Sequence, residues 1–195
     1  MSELLFDRIF GNLYFRKLYH FWGGILMVVA LILLDRNWFI FFAALYFILF
    51  FFIGKRISFA ILGVLLLYII SGSKNLTVYT TIIWLVGDGV AGLIGGALGK
   101  RKLPWHDRKT ILGSVSFFLS SWLVILTLFI LTIEAPHSQL LILSIISCLV
   151  ACFVESLPVS FIHDRKPDDN LIVLLLVGLT MWGFSKFLGL EILLW

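Results

Sequence analysis

The sequence predicts an all-α fold: a polytopic integral membrane helical bundle of about seven transmembrane helices, with an N-terminal amphipathic helix at the interface. Two observations carry this. Hydrophobic residues make up 61% of the 195-residue chain and charged residues only 13%, against about 25% charged in a soluble domain. The apolar residues also gather into long runs separated by short polar turns, which is the pattern of successive membrane spans. The chain reads as one domain, residues 1–195, with no convincing internal repeat.

Residues 2–18 place Leu5, Ile9 and Leu13 on one helical side and Asp7, Arg8 and Asn12 elsewhere. This predicts an amphipathic segment over 1–19 lying on the membrane surface, closed by Arg16-Lys17-Leu18-Tyr19-His20. The first residues lack the apolar core of a signal peptide. Spans are predicted at roughly 20–34, 38–53 and 57–71, with turn chemistry at Asp35-Arg36-Asn37 and Ser71-Gly72-Ser73-Lys74-Asn75. A fourth span covers roughly 76–99 and is expected to be interrupted or bent at Gly87-Asp88-Gly89. A polar loop over 100–109 contains Pro104; spans five to seven follow at roughly 111–133, 138–160 and 171–193, the last two joined by a second polar loop over 161–170. Cys148 and Cys152, four apart in an apolar run, read as packing residues, and His20, His106, His137 and His163 show no zinc-ligand spacing.

The cations follow the membrane. With seven spans, twelve of the fifteen Lys and Arg residues fall on the N-terminal side of the bilayer and two, Arg36 and Lys74, on the other; Lys186 lies within the last span. That bias predicts a cytoplasmic N-terminus, both polar loops on the cytoplasmic side, and an external C-terminus. The expected setting is a prokaryotic cytoplasmic membrane. The net charge of +4 therefore does not speak for nucleic acid, and none is expected as a partner. The composition leaves room for a homo-oligomer.

The chemistry concentrates between Gly87 and Thr110. Asp88 is a carboxylate inside an apolar run, and such an acid is costly enough in a bilayer to be treated as functional. After it come Gly92, Gly95, Gly96 and Gly99, then the cations Lys100, Arg101, Lys102, Arg108 and Lys109. The glycine spacing also suits close helix packing, and the cations alone would satisfy the inside-positive bias; neither accounts for Asp88. The stretch is not a P-loop, since Ile94 and Arg101 stand where that motif needs Gly and Ser or Thr. Glu155 is a second embedded acid, and Asp168-Asp169-Asn170 opens the last span, where an N-cap is the plainer reading. Asp88, Glu155, Asp168 and Asp169 offer oxygen ligands of the kind Mg²⁺ takes together with substrate phosphates. Lys100, Lys102 and Lys109 offer charge for those phosphates, as do backbone N–H groups if span four is broken. Arg16, Lys17 and His20 fall at the same membrane depth. The inventory points to chemistry on a metal-bound phosphate at a membrane face.

Four motifs, in order, resemble the CTP-dependent polyprenol kinases, the family of dolichol kinase, phytol kinase and the yeast CTP-dependent diacylglycerol kinase. They are Arg16-Lys17-x-x-His20; Gly87-Asp88-Gly89-x-Ala91 with Gly95-x-x-x-Gly99-Lys100; Lys109-Thr110-x-x-Gly113-Ser114; and Glu155-Ser156-Leu157-Pro158 with Asp168-Asp169-Asn170. The resemblance implies CTP as phosphoryl donor, Mg²⁺ as cofactor and a lipid alcohol such as phytol, geranylgeraniol or a polyprenol as acceptor. It implies catalytic roles for Asp88, Lys109, Glu155 and Asp169. It implies metal ligation by Asp88, Glu155, Asp168 and Asp169. Nucleotide contacts are implied for Arg16, Lys17, His20, Gly95, Gly99, Lys100, Lys102, Thr110, Gly113, Ser114 and Asn170. Leu112 and Leu174 depart from the residues many relatives carry there, Glu and Pro; the first departure favours the phytol-kinase type over dolichol kinase. Phosphatidate cytidylyltransferases share part of the pattern but carry a closing His-Gly-Gly-x-x-Asp-Arg segment that is absent here. A transporter would be expected to show paired broken segments in its two halves.

Overall fold

The computed structural model describes residues 13–51, 55–158 and 169–190, with side chains for 21–49, 59–158 and 170–190. Seven helices run through these residues: α1 Leu13–Leu33, α2 Arg36–Phe51, α3 Lys55–Ser71, α4 Lys74–Leu98, α5 Ile111–Thr132, α6 His137–Ser156 and α7 Asp169–Phe187. Between α4 and α5 stands a two-stranded antiparallel hairpin, β1 Lys102–Leu103 and β2 His106–Thr110. Four stretches, Lys74–Leu98, Ile111–Thr132, His137–Ser156 and Asn170–Phe187, are long and apolar enough to cross a membrane; shorter apolar stretches lie at Phe21–Leu33, Arg36–Leu49 and Phe59–Ser71. Large apolar side chains face outward throughout, Trp38, Leu123, Leu131 and Phe153 among them, far more than a soluble monomer leaves exposed.

Two sequence expectations are corrected here. The first helix shows no boundary at residue 19: α1 is continuous from Leu13 through the Arg16–His20 motif into the first apolar stretch. The proposed amphipathic residues 1–12 lie outside the described residues. The fourth span is also unbroken. α4 is one helix of 25 residues that passes straight through Gly87-Asp88-Gly89. The balance of energies explains it. A helical glycine costs about 1 kcal/mol relative to alanine, whereas a backbone N–H left unpaired in an apolar medium costs several. No open N–H groups are therefore available at Asp88. The helix is anchored at its start by Ser73, whose Oγ accepts the Leu76 N–H at 3.2 Å, and by Thr77, whose hydroxyl donates to the Ser73 carbonyl at 2.8 Å.

α4 is the central helix and packs against α1, α3, α5, α6 and α7, most extensively against α5. Small residues set its close approaches. Gly87 lies against the ring of Phe117, and Gly24 of α1 lies under the Leu85 side chain. At the far end Tyr79 meets Phe129 edge-on at 5.1 Å and shares a hydrogen bond with Thr132 at 2.8 Å. The pairs Gly87–Phe117 and Tyr79–Phe129 make α4 and α5 antiparallel. The pairs Phe21–Gly89, Gly24–Leu85 and Ile32–Lys74 do the same for α1 and α4. α3 and α7 run parallel, with Gly63 against Leu174 and Gly178 against Leu67. In the last turn of α7 the Lys186 ammonium lies 3.9 Å from the centre of the Trp182 ring, which shelters a cation that a purely apolar span would not tolerate.

Candidate functional site

The helix directions bring the end of α4, the hairpin, the start of α5, the end of α6 and the start of α7 to one end of the bundle. The segment predicted as a polar loop is ordered there as the hairpin. Pro104-Trp105 makes its turn, a position where proline's fixed φ suits the first corner. The His106 Nδ1 accepts the N–H groups of Arg108 and Lys109 at 3.1 and 3.2 Å, and the Ile111 N–H closes the base onto the Arg101 carbonyl at 3.0 Å.

The hairpin is fastened to the end of α6 by two side chains. The Trp105 Nε1 donates to the Ser156 carbonyl at 3.0 Å. The Lys109 Nζ donates to the Glu155 carboxylate at 2.7 Å and to the Glu155 backbone carbonyl. Both carbonyls belong to the last turn of α6, where no helical partner remains for them. A cation there is also favoured by the helix dipole. The Lys109–Glu155 ion pair is largely shielded, with 22% and 14% of the two side chains exposed. Lys100, Arg101, Lys102 and Arg108 stand exposed around it.

The Lys109-Thr110-x-x-Gly113 motif starts α5. Thr110 is its N-cap, and the Thr110 hydroxyl accepts the Gly113 N–H at 3.1 Å. Gly99 is the C-cap of α4, with its N–H on the Gly95 carbonyl at 3.1 Å. The two caps interlock. A Cβ on Gly95 would lie 2.9 Å from both the Gly113 Cα and the Thr110 Oγ1, and one on Gly99 would strike Thr110. Gly96, by contrast, faces open space. Of the two G-x-x-x-G pairs in the sequence, Gly92 with Gly96 and Gly95 with Gly99, the second therefore forms a packing face, whereas Gly96 of the first does not. Ser114 joins α5 to α6 by accepting the Cys152 thiol at 3.2 Å on its carbonyl.

Asp88 is half-buried on α4, between Gly87 under Phe117 and Gly89 facing Phe21. One turn earlier, the Trp84 Nε1 donates to the Asn170 Oδ1 at 2.9 Å, which ties the start of α7 to α4. The α1–α4 register carries the backbone of the Arg16–His20 turn past Gly89 towards the end of α4. The side chains of Arg16, Lys17, His20 and Asp169, and the whole of Asp168, lie outside the described residues. Among the described residues no three His, Cys, Asp or Glu side chains stand close enough to hold a metal ion. Of the four predicted metal ligands, only the side chains of Asp88 and Glu155 are among those described. Glu155 is engaged by Lys109.

Sequence reasoning named Lys109, Glu155, Ser114 and Asn170 but gave no site role to Trp84, which holds Asn170, to Trp105, which fastens the hairpin to Ser156, or to Cys152, which donates to Ser114. Trp84 carried a readable signal, because it stands four before Asp88 and so shares its helix face. Trp105 and Cys152 carried none.

The fold and this end of it define a helical bundle of membrane character with an embedded acid on its central helix and a cationic hairpin at one end. Among known proteins, the chain is similar to plant phytol kinases. It is 33% identical over 92 residues to the probable phytol kinase 1, chloroplastic, of Glycine max, covering 45% of this chain and 29% of that protein. It is 30% identical over 105 residues to the probable phytol kinase 1, chloroplastic, of Oryza sativa subsp. japonica, covering 51% and 33%. With the phytol kinase 1, chloroplastic, of Arabidopsis thaliana the identity is 32% over 93 residues, covering 45% and 29%. The chain thus spans about a third of the length of the curated relatives it matches. No family model matches it, and no solved structure does.

Proposed function

We propose that this chain is a lipid-alcohol kinase that moves the γ-phosphoryl group of CTP to an isoprenoid alcohol such as phytol. The alcohol oxygen bonds to the γ-phosphorus, the bond from that phosphorus to the bridging β-phosphate oxygen breaks, and the nucleoside diphosphate leaves. The alcohol proton passes to a carboxylate, for which Asp88 is the candidate on α4. The observation that carries the reading is the Lys109–Glu155 ion pair, which joins two motifs 46 residues apart, with Asn170 tied to Trp84 one turn before Asp88. The similarity to phytol kinases supports the choice of acceptor.

Each described residue has a task in this scheme. Lys100 and Lys102 draw the triphosphate to the hairpin. Glu155 holds the Lys109 ammonium beside the end of α6, ready to be shared with an incoming phosphate. The interlocked caps at Gly95, Gly99, Thr110 and Gly113 fix the cations relative to Asp88, and positioning is most of what phosphoryl transfer asks of a protein. Magnesium, when bound, neutralises charge on the phosphates. The reaction end faces the cytoplasm in this reading, where nucleotides are supplied.

The test is transfer of label by the purified protein with Mg²⁺, a panel of lipid alcohols, and CTP labelled at either the α- or the γ-phosphate. Label from the γ-position should appear in the lipid. Label from the α-position in the lipid, with pyrophosphate released, would replace the kinase by a cytidylyltransferase.

A further inference from the structure

Trp84 has no task in the scheme above. It is 4% exposed and lies on the turn of α4 before Asp88, a rise of about 6 Å. Packing alone would be met there by Phe or Leu. An indole brings an N–H that must find an acceptor when buried. That acceptor is the Asn170 Oδ1 at 2.9 Å, 86 residues further along the chain. The bond sets the start of α7 against the helix that carries the acid.

The same bond decides what Asn170 can do. An indole N–H only donates, so it selects the oxygen end of the amide and fixes the amide's orientation. Asn170 is the second residue of α7, which begins at Asp169. Its oxygen goes to Trp84, not to the first turn of its own helix as an N-cap's would. Its nitrogen end, with two N–H donors, has no partner among the described residues, and the residue is half-buried. Asn170 is therefore held as a donor. A donor suits a phosphate oxygen; an amide nitrogen does not suit Mg²⁺, which takes oxygen. Without Trp84 the amide would turn about χ2, a broad torsion, and present oxygen as readily as nitrogen.

We propose that Trp84 is a positioning residue for phosphoryl transfer: it holds the oxygen of the Asn170 amide, so that the two N–H donors stay presented to a nucleotide phosphate near the level of Asp88. This deepens the kinase reading and rests on it for the identity of the anion, but not for the locked amide.

The test uses the full chain in nanodiscs with ¹⁵N in its Trp and Asn side chains. CTP with Mg²⁺ should shift the Asn170 amide signal. Trp84→Phe, which keeps a ring and loses the donor, should need about tenfold more CTP for the same shift, the scale of one misdirected neutral donor. Turnover supplies a cycle that a merely structural bond would not reproduce. Asn170→Asp keeps an acceptor for Trp84 and removes both donors, so kcat/KM should fall about a hundredfold, as when a donor aimed at developing charge is lost. Trp84→Phe should lower it about tenfold, and the double variant should lie within about twofold of Asn170→Asp alone, because Trp84 acts through donors that are already gone. Wild-type turnover by Asn170→Asp, or losses that multiply in the double variant, would overturn the positioning role. Should Asn170→Asp fail to insert, the wild-type amide signal decides alone. An Asn170 amide unmoved by CTP in a protein that transfers γ-label would overturn the positioning role and leave the kinase standing. A shift that depends on Trp84, with no transfer to any alcohol, would uphold the positioning of a bound nucleotide and remove the kinase reading.

Discussion

Lys109 and Glu155 are 46 residues apart in the chain and 2.7 Å apart in the fold. Lys109 stands in β2, just before the N-cap of α5, and Glu155 stands in the last turn of α6, so a single ion pair joins the hairpin, α5 and α6. Its partial shielding makes it worth more than a surface pair, and removal of one partner leaves the other charge poorly solvated.

Glu155→Gln should therefore lower stability by about 1–3 kcal/mol, the usual range for losing a charged hydrogen bond. Lys109→Met should do the same, and the double variant should lose less than the two added together. Thermal unfolding in detergent gives all three values. Strict additivity would mean that the two charges do not interact in the folded protein.

Asp88→Asn preserves size and removes the charge. Turnover should fall by about 10²–10³, as it does when a group aimed at developing charge is removed. The variant should remain monodisperse and correctly inserted, because the side chain keeps its size. Full activity in a correctly inserted Asp88→Asn protein would assign this residue to structure alone.

The two overlapping glycine pairs should separate by sign. Gly96→Ala meets open space and gains helix propensity, so stability should rise by about 0.5–1 kcal/mol. Gly95→Ala forces its Cβ against the Gly113 backbone, 2.9 Å away, and Gly99→Ala drives into Thr110; both should lose yield and thermal stability before any effect on chemistry can be read. Equal tolerance of Gly95→Ala and Gly96→Ala would refute the interlocked caps.

Opposite-facing loops can be separated with a membrane-impermeant thiol reagent. Cysteine placed at Lys102 should react only after the inner face is opened, and cysteine placed at Lys74 should react from outside. External labelling at position 102 would reverse the orientation and part the hairpin from its nucleotide.

Much of this architecture could be read from the chain. The apolar runs located most helices to within a few residues, because in a bilayer hydropathy and helix length leave little freedom; α1 begins seven residues before its predicted span and α7 ends six before the end of its own. The supposed break at Gly87–Gly89 misled for the same reason: glycine punctuates in water, where a freed amide finds a solvent partner, and loses that meaning in an apolar bundle. The hairpin was illegible because His106-Asp107-Arg108-Lys109 has neither β-branched residues nor alternation. Its pairing is imposed by Trp105 and Lys109 reaching α6. Lys109, Glu155 and Asn170 could be nominated as polar exceptions in apolar sequence. Which of them would touch could not, since side-chain pairing across 46 or 86 residues is a property of the packing.

At 1.5 Å per residue, the 25 residues of α4 extend about 37 Å, against a hydrocarbon layer of about 30 Å. A span longer than the layer tilts or thickens the bilayer around it, at a cost of fractions of a kcal/mol per Å. Asp88 lies ten residues before the end of α4, so the tilt of that one helix sets its depth, and the thickness of the host membrane becomes a setting on how far the acid stands from water.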